Sequence, residues 1–193
     1  MPSDWTIVVP VKGSAEAKSR FGDDARRLDL AEAMALDTIA AAVQVAPVLV
    51  VAGPGLSRAF AELGATVILE HPGDGLNGAI TRALATVDGP AAVLLADLPA
   101  LRPEELASAL LENVMVADSD GTGTTLITGR TPAFGAGSRA AHAALGYREL
   151  DLPPTSGLRL DVDSAEALAA IPPERLGERT RPIARPGTAS KAH

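Results

Sequence analysis

Strands alternating with helices along most of the 193 residues predict an α/β fold: a mostly parallel sheet with helices on both faces, three layers in all. Three observations carry that reading. The strand segments are short, near-continuous apolar runs, as strands buried on both faces are. Apolar residues at helical spacing fill the intervals between them. At 47% hydrophobic and 21% charged, a chain of this length can close the core of one domain without cysteine, of which it has none.

Element by element, Trp5–Val11 is a β-branched apolar run and reads as a buried strand. A helix is expected over Leu28–Val45, stopped before Pro47. Val48–Val51 is the second strand, then Gly53-Pro54-Gly55 and a helix near Ser57–Leu63. Thr66–Leu69 is a third strand and Leu76–Thr86 a helix. Ala91–Leu95 reads as a central strand, and Pro103–Asn113 as a helix with Pro in its first turn. Val114–Ala117 and Thr124–Thr128 are strands around a polar turn. Ser138–Leu145 is a short helix, Tyr147–Leu150 a strand, and Ser164–Ile171 the last helix. Residues 1–172 form one domain on this reading. Residues 173–193, rich in Pro, Arg, Gly and Ser, are expected to be a disordered tail.

Charge and composition exclude several functions. Without cysteine there is no thiolate nucleophile, Cys-ligated zinc or dithiol redox centre. A net charge of -7 argues against nucleic-acid binding through a broad basic face. No apolar run approaches the roughly 20 residues that span a bilayer, and strand-like sequence begins too early for a signal peptide. A cytoplasmic protein that binds neither membrane nor nucleic acid is expected. The last 21 residues carry five cations against two carboxylates, leaving -10 on residues 1–172. Any cationic pocket in that body must be local. Two of the chain's three lysines, Lys12 and Lys18, lie in one short segment.

In open α/β sheets ligands bind beyond the carboxyl ends of the strands, so the loops after Val11, Leu95 and Ala117 are the places to look. The first, VPVKGSAEAKSRF, brings Lys12, Lys18 and Arg20 just past a strand end, where three cations can neutralise a triphosphate. It matches neither GxxxxGKS nor GxGxxG. In LLADLPAL, Asp97 follows a strand and is either a hard oxygen ligand for Mg2+ or a turn cap. In LRLDVDSAEAL, Asp161 and Asp163 stand two apart, so in extended chain both face one side and could share a cation. Asp163 is equally a cap for the helix that follows. The loop ADSDGTGTTLI offers Thr hydroxyls and, at Gly121 and Gly123, close backbone approach. FGAGSRAAH leads into a helix whose first N–H groups, with Ser138 and Arg139, could hold an anion, or it is an ordinary glycine turn. Asn77 contacts a base or ribose edge or caps its helix. His71 and His142 have no carboxylate partner in sequence, and no Ser-His-Asp order suggests nucleophilic catalysis.

From Ile7 to Leu168 the ordered set VPVK…AKSRF, LNGAI, LLADLPAL, DGTGTT, FGAGS and GLRLDVDSAEAL resembles the 2-phospho-L-lactate and phosphoenolpyruvate guanylyltransferases of coenzyme F-420 biosynthesis. The resemblance implies a Rossmann-like, GT-A-like fold of the nucleotide-diphospho-sugar-transferase type. It implies GTP as donor, Mg2+ as cofactor and a phosphorylated three-carbon acid as acceptor. Carried over by motif, Lys12 contacts phosphates, Lys18 and Arg20 steady the triphosphate, and Asp97 and Asp161 hold metal with Asp163 beside them. Asn77 falls in the motif LNGAI on the nucleotide side. Thr124, Gly135 and Ser138 cradle the acceptor. Gly13-Ser14 departs from the bulkier stretch usual in the family, which touches the shape of the phosphate loop. No single residue decides among phosphoenolpyruvate, 2-phospho-L-lactate and 3-phosphoglycerate. The family also implies an unstable product handed to the next pathway enzyme. Two rivals are another nucleotidyltransferase of this fold and a non-catalytic nucleotide-binding module. The first is disfavoured because no GGxSxRMG-like loop follows strand one. The second is disfavoured because Asp97, Asp161 and Asp163 all remain.

Overall fold

The run Thr6–Pro10 forms β1, buried from Ile7 onward. Ile7 and Val9 pack into one core cluster and Val8 into a second on the opposite face, which is why the run is apolar throughout. The computed structural model describes residues 4–11, 24–71 and 73–184. After β1 come α1 (Asp24–Ala42), β2 (Val48–Ala52), a 3-10 turn at Pro54–Leu56, α2 (Ser57–Glu62), β3 (Thr66–Leu69) and α3 (Gly75–Leu84). The second half holds β4 (Ala91–Leu94), α4 (Pro103–Ala109), β5 (Val114–Ala117), β6 (Thr124–Thr128), α5 (Ser138–Ala144), β7 (Arg148–Glu149), α6 (Ala165–Ala170) and α7 (Thr180–Ala184).

The strands make one sheet in the order β3-β2-β1-β4-β6-β5-β7. β1 pairs in parallel with β2 and β4, placing Val8 opposite Leu49 on one side and Val93 on the other. β2 continues in parallel to β3, and β5 to β7. Among the described residues β6 alone is reversed, antiparallel to both β4 and β5. The sheet is therefore mixed but mostly parallel, as expected. Ile39 of α1, Phe60 of α2 and Leu106 of α4 cover one face with Ile7 and Val9. Ile80 and Leu84 of α3 cover the other, joined by Phe134 and Tyr147. No helix among the described residues is long and apolar enough to cross a membrane.

Two helix boundaries differ for local reasons. α1 ends at Ala42, because Val45 and Ala46 both donate their N–H to the Ala42 carbonyl and turn the chain ahead of Pro47. α4 begins at Pro103 as expected, with the Arg102 N–H donating to Glu105 Oε2 at 3.1 Å, but stops at Ala109. Asn113 adopts the left-handed φ of 55° that Asn tolerates, and its Nδ2 donates to Gly146 O at 2.8 Å. That pairing directs the chain into β5 instead of prolonging the helix.

The disordered tail expected from residue 173 requires correction over 173–184. Leu176 is buried with Leu30, Met34, Ala100, Val162, Leu168 and Ile171. Gly177 N–H donates to Pro99 O at 2.8 Å. The Asp37 carboxylate of α1 accepts the N–H groups of Arg179 at 3.2 Å and Thr180 at 2.8 Å, at the start of α7. Composition conceals this because a few apolar anchors and one carboxylate some 140 residues away hold the segment. Residues 185–193 lie outside the described residues.

Candidate active site

A cleft of about 710 Å³ opens beyond the carboxyl ends of β1, β4 and β5. That size is within the usual range for a small-molecule site. The reversal of β6 brings its first residues, Thr124 and Thr125, to the same edge. Val11, Asp97, Asp118, the turn Phe134–Ser138 and Asp161–Asp163 complete the rim, while Leu30 and Met34 of α1 supply an apolar wall.

Asp97 stands just past β4 on a segment braced from α1. Thr38, wholly buried, accepts the Leu98 N–H at 3.1 Å, and its hydroxyl faces the carbonyls of Met34 at 2.9 Å and Ala96 at 3.1 Å. The backbone on both sides of Asp97 is thereby held. Val162 N–H donates to Asp97 O at 3.0 Å, which lays the segment carrying Asp161 and Asp163 alongside. Val162 itself is buried in the third core cluster, while Asp161 and Asp163 line the cleft, with Asp163 exposed. Capping of α6 belongs to Ser164, whose Oγ accepts the Ala167 N–H at 3.1 Å, so the cap reading of Asp163 is set aside.

Asp161 Oδ1 accepts both the N–H and the hydroxyl of Ser119, at 3.1 and 3.0 Å. Burial nevertheless pushes its carboxyl above the usual range; the Ser119 hydrogen bonds oppose the shift, and the charges of Asp118 and Asp163 reinforce it. Asp118 was not anticipated, although it follows β5 as Asp97 follows β4. Its Oδ1 and Oδ2 accept the N–H groups of Thr122 at 3.0 Å and Gly123 at 2.7 Å, closing the loop on itself. A Cβ on Gly123 would run into that carboxylate. The rim is therefore acidic, and carboxylate oxygens are the hard donors that suit Mg2+. Asp97, Asp161 and Asp163 do not, however, form a three-carboxylate cage: no group of three His, Asp or Glu side chains placed to hold a metal exists among the described residues.

Thr124, Gly135 and Ser138 all line the cleft, the two hydroxyl residues almost wholly buried. Gly135 has φ 136°, with open space where a Cβ would go, so its requirement is conformational. The expectation that the first N–H groups of α5 are free is corrected, although Ser138 itself lines the cleft. Ser138 N–H is taken by Gly135 O at 3.1 Å and Arg139 N–H by Thr122 O at 3.2 Å. The Arg139 guanidinium is engaged by Glu149 at 2.8 Å and Gly121 O at 2.9 Å. Asn77 is corrected as a cap, since α3 begins at Gly75. It lies off the cleft wall, its Nδ2 donating to Phe134 O at 2.8 Å and its Oδ1 accepting Phe134 N–H at 2.9 Å. Both ends of its amide hold the turn that carries Gly135. Lys12, Lys18 and Arg20 lie outside the described residues; Val11, immediately before Lys12, is on the cleft wall.

This sheet, with its acidic cleft at the strand ends, has the architecture of nucleotide-diphospho-sugar transferases. A protein from Desulfovibrio desulfuricans G20 described as such a transferase superposes with a TM-score of 0.68 at 17% identity, over 92% of this chain and 93% of its own. A CMP:2-keto-3-deoxy-manno-octonic acid synthetase, complexed with CTP, superposes with a TM-score of 0.51 at 14% identity, over 88% and 97%. At those identities the likeness concerns the fold alone. Residues 5–137 match the family described as "Guanylyl transferase CofC like". The phosphoenolpyruvate guanylyltransferase of Streptomyces scabiei strain 87.22 is 44% identical, over 91% of this chain and 94% of its own. The chain belongs to the CofC-like guanylyltransferase family.

Proposed function

We propose that the protein transfers GMP from GTP to the phosphate of phosphoenolpyruvate, releasing pyrophosphate, as a step of coenzyme F-420 biosynthesis. What carries the reading is the cleft itself. It joins two carboxylate-bearing segments, tied by the Val162–Asp97 backbone bond, to a hydroxyl- and glycine-lined pocket in a chain of guanylyltransferase ancestry. An oxygen of the acceptor phosphate attacks the α-phosphorus of GTP, forming a new P–O bond. The bond to the β-phosphate oxygen breaks, and pyrophosphate departs with its electron pair. A phosphate dianion is already nucleophilic, so no general base is needed, and catalysis rests on positioning and charge neutralisation. Thr124, Gly135 and Ser138 receive the acceptor's carboxylate and phosphate. Lys12, Lys18 and Arg20, following Val11 in sequence, steady the triphosphate. Asp97 and Asp161 would hold Mg2+, with Asp163 at the rim. When bound, the ion supplies Lewis-acid stabilisation of phosphate oxygens and a template for their alignment. The product, a reactive diphosphate, passes to the next enzyme.

The test is pyrophosphate release from GTP and Mg2+ with phosphoenolpyruvate, 2-phospho-L-lactate or 3-phosphoglycerate, with each product identified by mass spectrometry. Acceptor-dependent release with phosphoenolpyruvate is expected; release with none of the three refutes the proposal. Preference for 2-phospho-L-lactate would keep the reaction and change the acceptor. Asp97→Ala should lower turnover by about 100-fold or more while leaving the unfolding midpoint near that of the parent. Unchanged turnover would remove Asp97 from the mechanism.

A further inference from the structure

His142, on α5, is wholly buried and wedged edge-on between Phe134 and Tyr147, with ring centroids 4.9 and 5.5 Å away. A core histidine in such a place could be simple packing, but its two nitrogens have different partners. The backbone N–H of Ala133 donates to Nε2 at 2.9 Å. A backbone amide can only donate, so Nε2 must carry the lone pair and Nδ1 the hydrogen. A second proton on Nε2 would point at the Ala133 N–H, so the ring is held neutral. Burial acts the same way, pushing the imidazole below its usual range against the opposing Ser138 carbonyl.

Nδ1 lies 3.0 Å from Thr124 Oγ1, the only hydrogen bond of that hydroxyl among the described residues. Because Nδ1 is the donor, Thr124 accepts from it and keeps its own hydrogen to give. The residue on the cleft wall is thereby converted from an ambivalent hydroxyl into a directed donor. The same ring holds Ala133, two residues before Gly135, while Asn77 grips Phe134 between them.

We infer that His142 is a positioning residue for the acceptor. As a neutral Nδ1–H imidazole it orients the Thr124 hydroxyl hydrogen into the cleft, toward an anionic oxygen of the phosphorylated acid, and ties that hydroxyl to the glycine turn facing the same ligand. This rests on the proposed function, since it takes the ligand at Thr124 to be the acceptor.

The two halves of the role separate by substitution. In His142→Asn an amide N–H falls near the place of Nδ1, keeping the donor to Thr124 and losing the acceptor for Ala133. In His142→Gln the amide reaches the place of Nε2, keeping the acceptor and losing the donor. The expected result is an acceptor KM about tenfold higher in H142Q, with KM for GTP little changed, and rescue toward the parent value in H142N. Equal acceptor KM values in both variants, whether raised or unchanged, would overturn the inference while leaving the guanylyltransferase reading intact. A parent protein silent toward every acceptor would instead overturn the functional reading, and the inference with it. Independently of turnover, ring 15N–1H correlation spectra of the full chain, assigned to His142 by nuclear Overhauser contacts from its ring to Phe134 and Tyr147, should show the Nδ1–H neutral tautomer at pH 7. An Nε2–H ring or an imidazolium there would overturn the inference even where a variant fails to fold.

Discussion

Asp161 shows how a site residue can work against the fold that carries it. Its carboxyl titrates above the usual range, chiefly because it is partly removed from water and also because Asp118 and Asp163 stand nearby. A carboxylic acid whose folded-state pKa exceeds its unfolded value binds protons more readily when folded. Its ionisation therefore costs stability, and that cost is absent below the unfolded pKa and complete once pH has risen through the folded one. Asp161→Asn keeps an oxygen to accept from Ser119 and removes the charge. In metal-free buffer the variant should melt higher than the parent at pH 7. The gap should close as pH falls below about 4, the ordinary range for Asp. A constant difference across that range would show that the charge is not its source. Asn77 teaches a related lesson about legibility. Its position in the first turn of α3 is visible in sequence, but its partner lies 57 residues onward, and nothing local points to the Phe134 backbone. Thr38 is equally silent: a mid-helix threonine whose hydroxyl braces the Asp97 segment 58 to 60 residues away.

At the scale of elements, what could be read was what local chemistry decides. Val114–Ala117, buried on both faces, is apolar throughout and has the bounds its composition suggests; the β-branched runs Thr66–Leu69, on the half-exposed edge of the sheet, and Thr124–Thr128, wholly buried, keep theirs as well. The direction of β6 is not legible in sequence, because a short buried run carries no mark of antiparallel pairing. Yet that reversal is what brings Thr124 to the cleft. In sequence, the glycines of the loop between β5 and β6 suggest room for a ligand's approach. At Gly123 the structure shows another cause, since the position is filled by the Asp118 carboxylate that closes the loop. Gly123→Ala should push that carboxylate off the N–H groups of Thr122 and Gly123, costing about 1–3 kcal/mol in urea unfolding. Turnover should fall with it, because the loop joins the Asp161 side of the cleft, through Ser119, to Thr124. An unaltered midpoint would mean that the loop yields without strain.

For the whole molecule, the informative region is the one that composition misjudged. Residues 173–184 close the third core cluster, where Leu176 meets Leu30, Met34 and Val162, three residues that also line the cleft. The segment thus supports the back of the site's apolar wall, and Asp37 anchors it through two N–H groups and Arg179. Ending the chain at Pro172 would expose Leu176's partners, at about 1.5–3 kcal/mol for a fully buried side chain of that kind. It would also remove two charge-assisted hydrogen bonds, about 1.5–3 kcal/mol each. Against the roughly 5–15 kcal/mol that hold a domain folded, the loss is a large share. The truncated chain should unfold well below the full chain in urea and bind GTP more weakly, since Leu30 and Met34 lose their backing. Asp37→Ala in the full chain separates anchoring from burial: it should reproduce part of the destabilisation, about 2 kcal/mol, with Leu176 still present. Truncation that left both the midpoint and GTP binding unchanged would return the segment to the status of a tail.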